Sequence, residues 1–295
     1  MDSFNYHIPG KWILAGEHSV LRGCEAIVFP ITSRYLNFKY ISSKQAFSIV
    51  LVGENSSDLE MIIWSVFEKA MNEIKIKRSD LTGELTITSH IAFGAGMGAS
   101  ATLAVGIAEF FKRIQILKTD LFQFAKKIED LFHGESSGVD VAVALYQKPL
   151  IYKRGSEIKL LDSVKLPNLY LSHCGVRGVT KDCVTKVKSY FESDPKSAAA
   201  IDLRMSESVE AFKYLLSVTD SEKIDLLSWI KAIRLSQSCF ESWGLVPVEA
   251  QQHIDFLKNS GALAIKMTGS GGGGYVLSLW DELPAPELEK VLIKV

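Results

Sequence analysis

The sequence predicts an α+β fold of two domains, and three observations carry that expectation. The first part of the chain is rich in β-branched and aromatic runs, helical spacing of apolar residues fills about 181 to 258, and two strand-like segments return near the C-terminus around a glycine tract. At 295 residues the chain is long enough for one large or two ordinary domains. A chain of this size buries about 75% of its unfolded surface, so a substantial core is available.

KWILAGE, EAIVFPI, SRYLNFKYI and AFSIVLV read as strands separated by turn residues. DLEMIIWSVFEKAMNEI places apolar residues at helical spacing, and ELTITSHIAF alternates like a strand that runs into glycines. Helical stretches follow near 98–113, 119–132 and 136–146. KPLIYK closes the first unit as a strand and PNLYLSHCGV opens the second. After the helical region come the strands ALAIKMT and GYVLSLW. The expected division is 1–160 and 161–295. Trp64 and Phe67 sit at helical spacing and are expected in a core rather than against a base.

Apolar residues make up 47% and charged residues 23%, and the 33 basic and 34 acidic side chains leave a formal charge of −1. This balance is that of an ordinary globular chain and does not call for nucleic acid or a charged membrane as partner. The four cysteines, Cys24, Cys174, Cys183 and Cys239, form no C-x-x-C pair, so neither a disulfide framework nor structural zinc is expected. With no leader pattern and no apolar run of about 18 residues, the expected location is cytoplasmic.

Residues 91–106 read IAFGAGMGASATLAVG, with Gly94, Gly96 and Gly98 at alternate positions between a strand and a helix. Bare backbone there lets N–H groups approach an anion, and the helix N-terminus adds partial positive charge, so phosphate is the expected guest. GAGMGA also satisfies G-x-G-x-x-[GA], but a dinucleotide fold needs a strand ending in an acid about 20 residues on, where FKRIQILKTDLFQFAKK reads as two helices. A second tract, KMTGSGGGG, leaves five of the six positions from Gly269 to Gly274 as glycine. That much backbone freedom costs roughly 0.5–1 kcal/mol per glycine in regular structure, which makes a purely structural purpose less plausible.

IEDLFHGESSGVD concentrates ionisable groups at a turn between helices. Glu129 and His133 lie four apart on one helical face, and Asp140 falls in the first turn of the next helix, where the dipole favours a carboxylate. Phosphoryl transfer needs hard oxygen ligands for Mg²⁺, a phosphate cradle and a group that orients the acceptor hydroxyl. Ser100 and Glu129 suit the metal, and Asp140 suits the hydroxyl proton. PGKWILAGEHSVLRG adds Lys11, Glu17 and His18, which individually read as solvated or packing residues.

PGKWILAGEHSVLRG, FGAGMGASA, HGESSGVDVAV and KMTGSGGGG occur in the order and spacing of the motifs of the GHMP kinases, which the chain resembles from about residue 9 to 280. Within that family, GEHSV with HG-x-x-SGVD is most similar to the members that phosphorylate mevalonate. The resemblance implies an N-terminal domain like the second domain of ribosomal protein S5, a ferredoxin-like C-terminal domain, and ATP with Mg²⁺. By position it makes Gly94, Ala95, Gly96, Met97, Gly98, Ala99 and Ser100 the phosphate loop, and Ser100 and Glu129 the metal ligands. Asp140 becomes the catalytic aspartate and Lys11 the lysine that pairs with it.

Glu17 and His18 match a segment near the substrate pocket, and Thr180, ending RGVT, matches a basic-x-Thr segment with one extra residue. Gly269, Ser270, Gly271, Gly272 and Gly273 match the third glycine motif. The chain departs from the family at Ala92, Met97, Ala99, Glu135, Ser136 and Val141.

The expected partner is a small-molecule acceptor, mevalonate, with no nucleic acid and no membrane; a homodimer stays open. Alternatives are phosphomevalonate kinase or a decarboxylase of a mevalonate derivative, with Arg177, Lys181 and Lys186 as the added cations, and a non-catalytic binder of ATP or a metabolite on the same fold. An NAD-linked oxidoreductase ranks last.

Overall fold

The computed structural model describes residues 2–53, 60, 62–92, 94, 96–133, 136–218, 224–288 and 290–295. Helices and strands mix in an α+β arrangement, and the chain divides into two compact units that interleave in sequence. The first holds Met1–Lys11, Pro30–Phe93 and Met97–Gln147; the second holds Trp12–Phe29, Gly94–Gly96 and Lys148–Val295. The sequence expectation drew its boundary at residue 160; by chain packing the last crossing falls at Gln147/Lys148, and residues 12–29 and 94–96 go with the second unit.

Two strands run through both units. β1 spans Phe4–Ala15 and starts well before KWILAGE, and β2 spans Ala26–Ala46, joining the two segments expected as separate strands. Thr32, the one residue between those segments, stays extended inside it. β1 pairs with β2.

In the first unit, β3 (Ser48–Val52) lies parallel to β4 (Thr82–Ser89), which runs antiparallel to β2 from Leu36↔Ser89 to Ile41↔Glu84. α1 (Ile63–Ile74), α2 (Ala99–Arg113), α3 (Leu121–His133) and α4 (Val139–Tyr146) complete it. α2 packs against the other three. That position explains its composition: Ala101, Leu103, Ala104, Val105, Ile107, Ala108, Phe110 and Phe111 are all buried, so the helix is apolar nearly all round. At Gly106 the ring of Phe38 occupies the place of a side chain, and Tyr6 donates its hydroxyl to the Gly106 carbonyl at 2.8 Å. Phe67 is fully buried in the same aromatic cluster, as expected; Trp64 is half-buried with the Arg78 guanidinium 4.1 Å over its ring.

In the second unit, β7 (Asn168–His173), β8 (Ala264–Met267), β9 (Tyr275–Trp280) and β10 (Ile293–Lys294) form an antiparallel sheet in the order β10-β7-β9-β8. α5 (Thr180–Ser193), α6 (Pro195–Ser217), α7 (Leu226–Ser242) and α8 (Val248–Asn259) accompany it. β5 (Leu150–Tyr152) pairs with the start of β2 and with the short β6 (Lys159–Leu160).

Helix starts follow local chemistry. Asp194 accepts from the Ser197 N–H at 3.1 Å with Pro195 as the first helical residue of α6, and Asp225 accepts from the Ser228 N–H at 3.1 Å to open α7. No helix among the described residues is long and apolar enough to cross a membrane.

Candidate active site

In the first unit the site is built where the end of the first glycine loop meets β1. Gly94, Gly96 and Gly98 have φ of 75°, 88° and 74°, the left-handed region that disfavours side chains; Ala95 lies outside the described residues. Gly98 caps α2, and Ala99 and Ser100 are that helix's first two residues. The loop is tied to β1 by the Lys11 N–H, which donates to the Met97 carbonyl at 2.9 Å, and by the Thr102 hydroxyl, 3.1 Å from the Pro9 carbonyl. Gly98 is also required sterically, because a Cβ there would lie 2.8 Å from Lys11 Cγ.

The stem of Lys11 passes over Gly98 and its Nζ lies 3.1 Å from Asp140 Oδ2, with side chains 7% and 23% exposed. A lysine read alone as a solvated residue is therefore buried and paired. Asp140 stands in the first turn of α4 after Gly138, whose φ of 86° turns the chain into the helix. Glu129, on α3, is 2% exposed, and its Oε2 has no hydrogen-bond partner. Burial first, and then the charge of Asp140, push its carboxyl up to about 8. A buried carboxyl raised by a second carboxylate is a place where an added cation would be favoured.

The turn before α4 is held by a residue that the motif reading passed over. Asp130 accepts from the Ser136 N–H at 2.8 Å and pairs with Lys126 at 3.0 Å. A proline at position 136 would have no N–H to give. The Ser136 hydroxyl is buried without a partner. Gly134, Glu135 and the His133 side chain lie outside the described residues.

In the second unit, Glu17, His18 and Thr180 converge on the second glycine tract. β1 ends at Gly16, whose φ is 99°, and His18 is itself left-handed at 56°. Lys266 Nζ donates to Glu17 Oε1 at 2.5 Å, both side chains being fully buried. Thr268 donates to the Ile13 carbonyl at 2.8 Å and accepts from the Ile13 N–H at 3.1 Å. His18 Nε2 donates to the Ser270 carbonyl at 2.8 Å, and the Thr180 hydroxyl lies 3.3 Å from that of Ser270. Burial holds the His18 imidazole down at about 4, so it is neutral at pH 7.

The tract has structural reasons for its glycines that were underrated from sequence. A Cβ on Gly271, Gly272 or Gly273 would lie 2.9 Å from Leu245 Cβ, 2.6 Å from Cys183 Sγ or 2.8 Å from Gly178 N. The Gly272 N–H donates to the Leu245 carbonyl at 2.8 Å and the Gly274 N–H to that of Val176 at 2.7 Å, so the tract ties α7 to the turn before α5.

Of the three cations nominated for a phosphorylated acceptor, Lys186 donates to the Gly244 carbonyl at 2.6 Å and Lys181 is exposed. Arg177 stands beside Gly94, where a Cβ would lie 3.8 Å from its Cδ. Lys266 and Thr268, which fasten the end of β1 and Glu17 to the strand leading into this tract, were missed from sequence. The available signal was Lys266 itself, a lone charge inside the apolar run ALAIKMT, which demands a buried partner.

A family model for the GHMP kinases N terminal domain matches residues 61–148. The mevalonate kinase of Thermococcus onnurineus is 29% identical, over 93% of this chain and 88% of its own. Among solved structures, L. major mevalonate kinase in complex with R-mevalonate has a TM-score of 0.77 at 20% identity, covering 98% of this chain and 89% of that one. Methanococcus jannaschii mevalonate kinase has a TM-score of 0.76 at 17% identity, covering 98% and 94%. The fold is shared with these structures across nearly the whole chain, and the N-terminal family pattern, to which the chain is similar over that span, covers the helices that carry Ser100, Glu129 and Asp140.

Proposed function

We propose that this protein transfers the γ-phosphoryl group of ATP to the primary hydroxyl of mevalonate, giving 5-phosphomevalonate. The observation that carries the reading is the pairing of the buried Lys11 with Asp140 beside the left-handed Gly98 and the helix N-terminus it opens. Relatives that match over about nine-tenths of the chain are mevalonate kinases, which supports the choice of acceptor.

The reaction asks for positioning and charge stabilisation rather than covalent help. N–H groups of Gly94–Ser100 and the N-terminus of α2 hold the phosphates. Asp140, paired with Lys11, orients the acceptor hydroxyl and takes its proton. His18 and Thr180 bind the acceptor, Glu17, held by Lys266, fixes the turn that carries His18, and Gly269–Gly273 shape their surroundings.

The unpartnered buried Oε2 of Glu129 fits a hard divalent cation, so Glu129 and the Ser100 hydroxyl would hold Mg²⁺. When bound, that ion neutralises charge on the β- and γ-phosphates. The four free thiols suit a reducing compartment, in keeping with a cytoplasmic location.

The deciding experiment is ADP release by purified protein with ATP, Mg²⁺ and, in turn, mevalonate, its phosphates, galactose and homoserine. Release with mevalonate well above the others is expected. Background rates with mevalonate and turnover of a phosphorylated acceptor would move the assignment elsewhere in the family.

A further inference from the structure

Asp140, the carboxylate placed to take the acceptor proton, stands in the first turn of α4, a helix of 8 residues. A helix this short is marginal on its own, so whatever holds its start decides where Asp140 sits. The helix's own cap holds little: Gly138 precedes it with a φ of 86° and makes no side-chain cap. The buried Val139, Val141, Ala142 and Val143 fix the body of α4 against α2 and α3 rather than its entry.

The entry is fixed from α3. Asp130 Oδ1 accepts from the Ser136 N–H at 2.8 Å, six residues on, and Lys126, one turn back on α3, donates to Asp130 Oδ2 at 3.0 Å. A hydrogen bond to a carboxylate is roughly twice as strong as one between neutral groups. Between the anchored Ser136 and Asp140 stand only Ser137, Gly138 and Val139, and the Val139 N–H donates to the Ser137 hydroxyl at 3.3 Å. Neighbouring acids on α3 thus divide the work. Glu129 is buried at 2% exposure, whereas the Asp130 side chain stays 29% exposed and reaches across to the turn.

We propose that Asp130 is a positioning residue for phosphoryl transfer: through the Ser136 N–H it fixes the entry to α4 and so holds Asp140 against Lys11. The inference rests on reading the chain as an alcohol kinase in which Asp140 takes the hydroxyl proton. Asp140 Oδ2 lies 3.1 Å from Lys11 Nζ, and a displacement of about 1 Å at a reacting group can cost a rate about 10²-fold. Nucleotide is held by other groups, so the loss falls on kcat.

Asp130→Ala and Asp130→Asn remove the same charge, but only the Asn amide keeps an oxygen for the Ser136 N–H. D130A should lower kcat with mevalonate by about 10- to 100-fold and leave KM for ATP within about twofold, and D130N should keep kcat within about threefold of wild type. Hydrogen exchange by mass spectrometry, which needs no substrate, follows the amides of residues 136–142. They should exchange faster in D130A and at wild-type rates in D130N. Urea midpoints check that the variants are folded in the assay. Ser136→Pro removes the donor and should reproduce the D130A pattern, and adding D130A to it should cost no further kcat; S136P also serves alone where D130A does not fold.

Equal losses in D130A and D130N would place the effect in the charge, and unchanged exchange in D130A, or losses that multiply in the double variant, would remove the link through Ser136. Each of these overturns the positioning role. Turnover absent with mevalonate but present with one of its phosphates, galactose or homoserine overturns the proposed acceptor alone, and the D130A comparison is then read on the acceptor that works. Absence of turnover with every acceptor overturns both, because Asp140 then has no proton to take.

Discussion

Lys266 Nζ and Glu17 Oε1 lie 2.5 Å apart with side chains 0% and 1% exposed, so a full ion pair is enclosed between the strand that leads into the second glycine tract and the turn that carries His18. Burial pushes the Lys266 ammonium down, and the Glu17 carboxylate opposes that shift. Enclosing two charges is a poor source of net stability, but breaking such a pair strands one charge in the core.

Lys266→Met and Glu17→Gln are therefore each expected to destabilise the chain by about 3–5 kcal/mol, and the double variant Glu17→Leu with Lys266→Met by less than the sum of the singles. Urea denaturation at pH 7 measures all three. Strict additivity would show that the two side chains do not act as a pair.

Lys11 and Asp140 are expected to matter for turnover more than for nucleotide affinity. Asp140→Asn removes the proton acceptor at nearly constant shape and should lower kcat by about 10²–10⁴. ATP affinity, read with a fluorescent analogue, should stay within a few fold. A variant that turns over normally would instead favour a binding protein on this fold.

Gly98 separates backbone strain from the site. Its φ of 74° is shared in kind by Gly23 at 85°, but a Cβ on Gly98 meets Lys11 Cγ at 2.8 Å whereas one on Gly23 meets nothing within 4 Å. Both Gly→Ala changes should cost about 1–2 kcal/mol of stability for the left-handed backbone. Only Gly98→Ala should displace Lys11 and depress kcat, by at least tenfold, and equal effects of the two on kcat would contradict this placement.

His18 gives a pH dependence with a definite sign. Burial lowers its pKa from 6.5 to about 4, so between these values the unfolded chain binds a proton that the native state excludes. Its contribution is fully present above about pH 6.5 and is lost as pH falls through about 4, a change on the order of 3 kcal/mol. Urea midpoints of wild type and His18→Gln at pH 7.5, 5.5 and 4.5 check it; the variant should show the shallower acid loss.

Much of this was legible in the chain. Helical spacing located α1 to α4 and the helices of the second unit, because an amphipathic or wholly apolar face leaves its period in the residues. The glycine loop, Ser100, Glu129 and Asp140 were legible because backbone at positive φ and helix first turns impose residue types locally. The continuity of β2 was not: Thr32 divides two strand-like runs in the sequence, and the strand they form together pairs with β1, β4 and β5, which lie elsewhere in the chain.

The sequence by itself determined the α+β class, the two glycine tracts and which carboxylates stand at helix starts, since these depend on neighbours a few residues away. Tertiary structure decided that Lys11 is buried against Asp140, that Glu17 is neutralised by Lys266, and that Trp243 faces His18. The separations along the chain are 129, 249 and 225 residues, and no local pattern encodes them. Which charge is paired, and which buried nitrogen is left without a partner, is settled only when distant segments pack and exclude water from the groups between them.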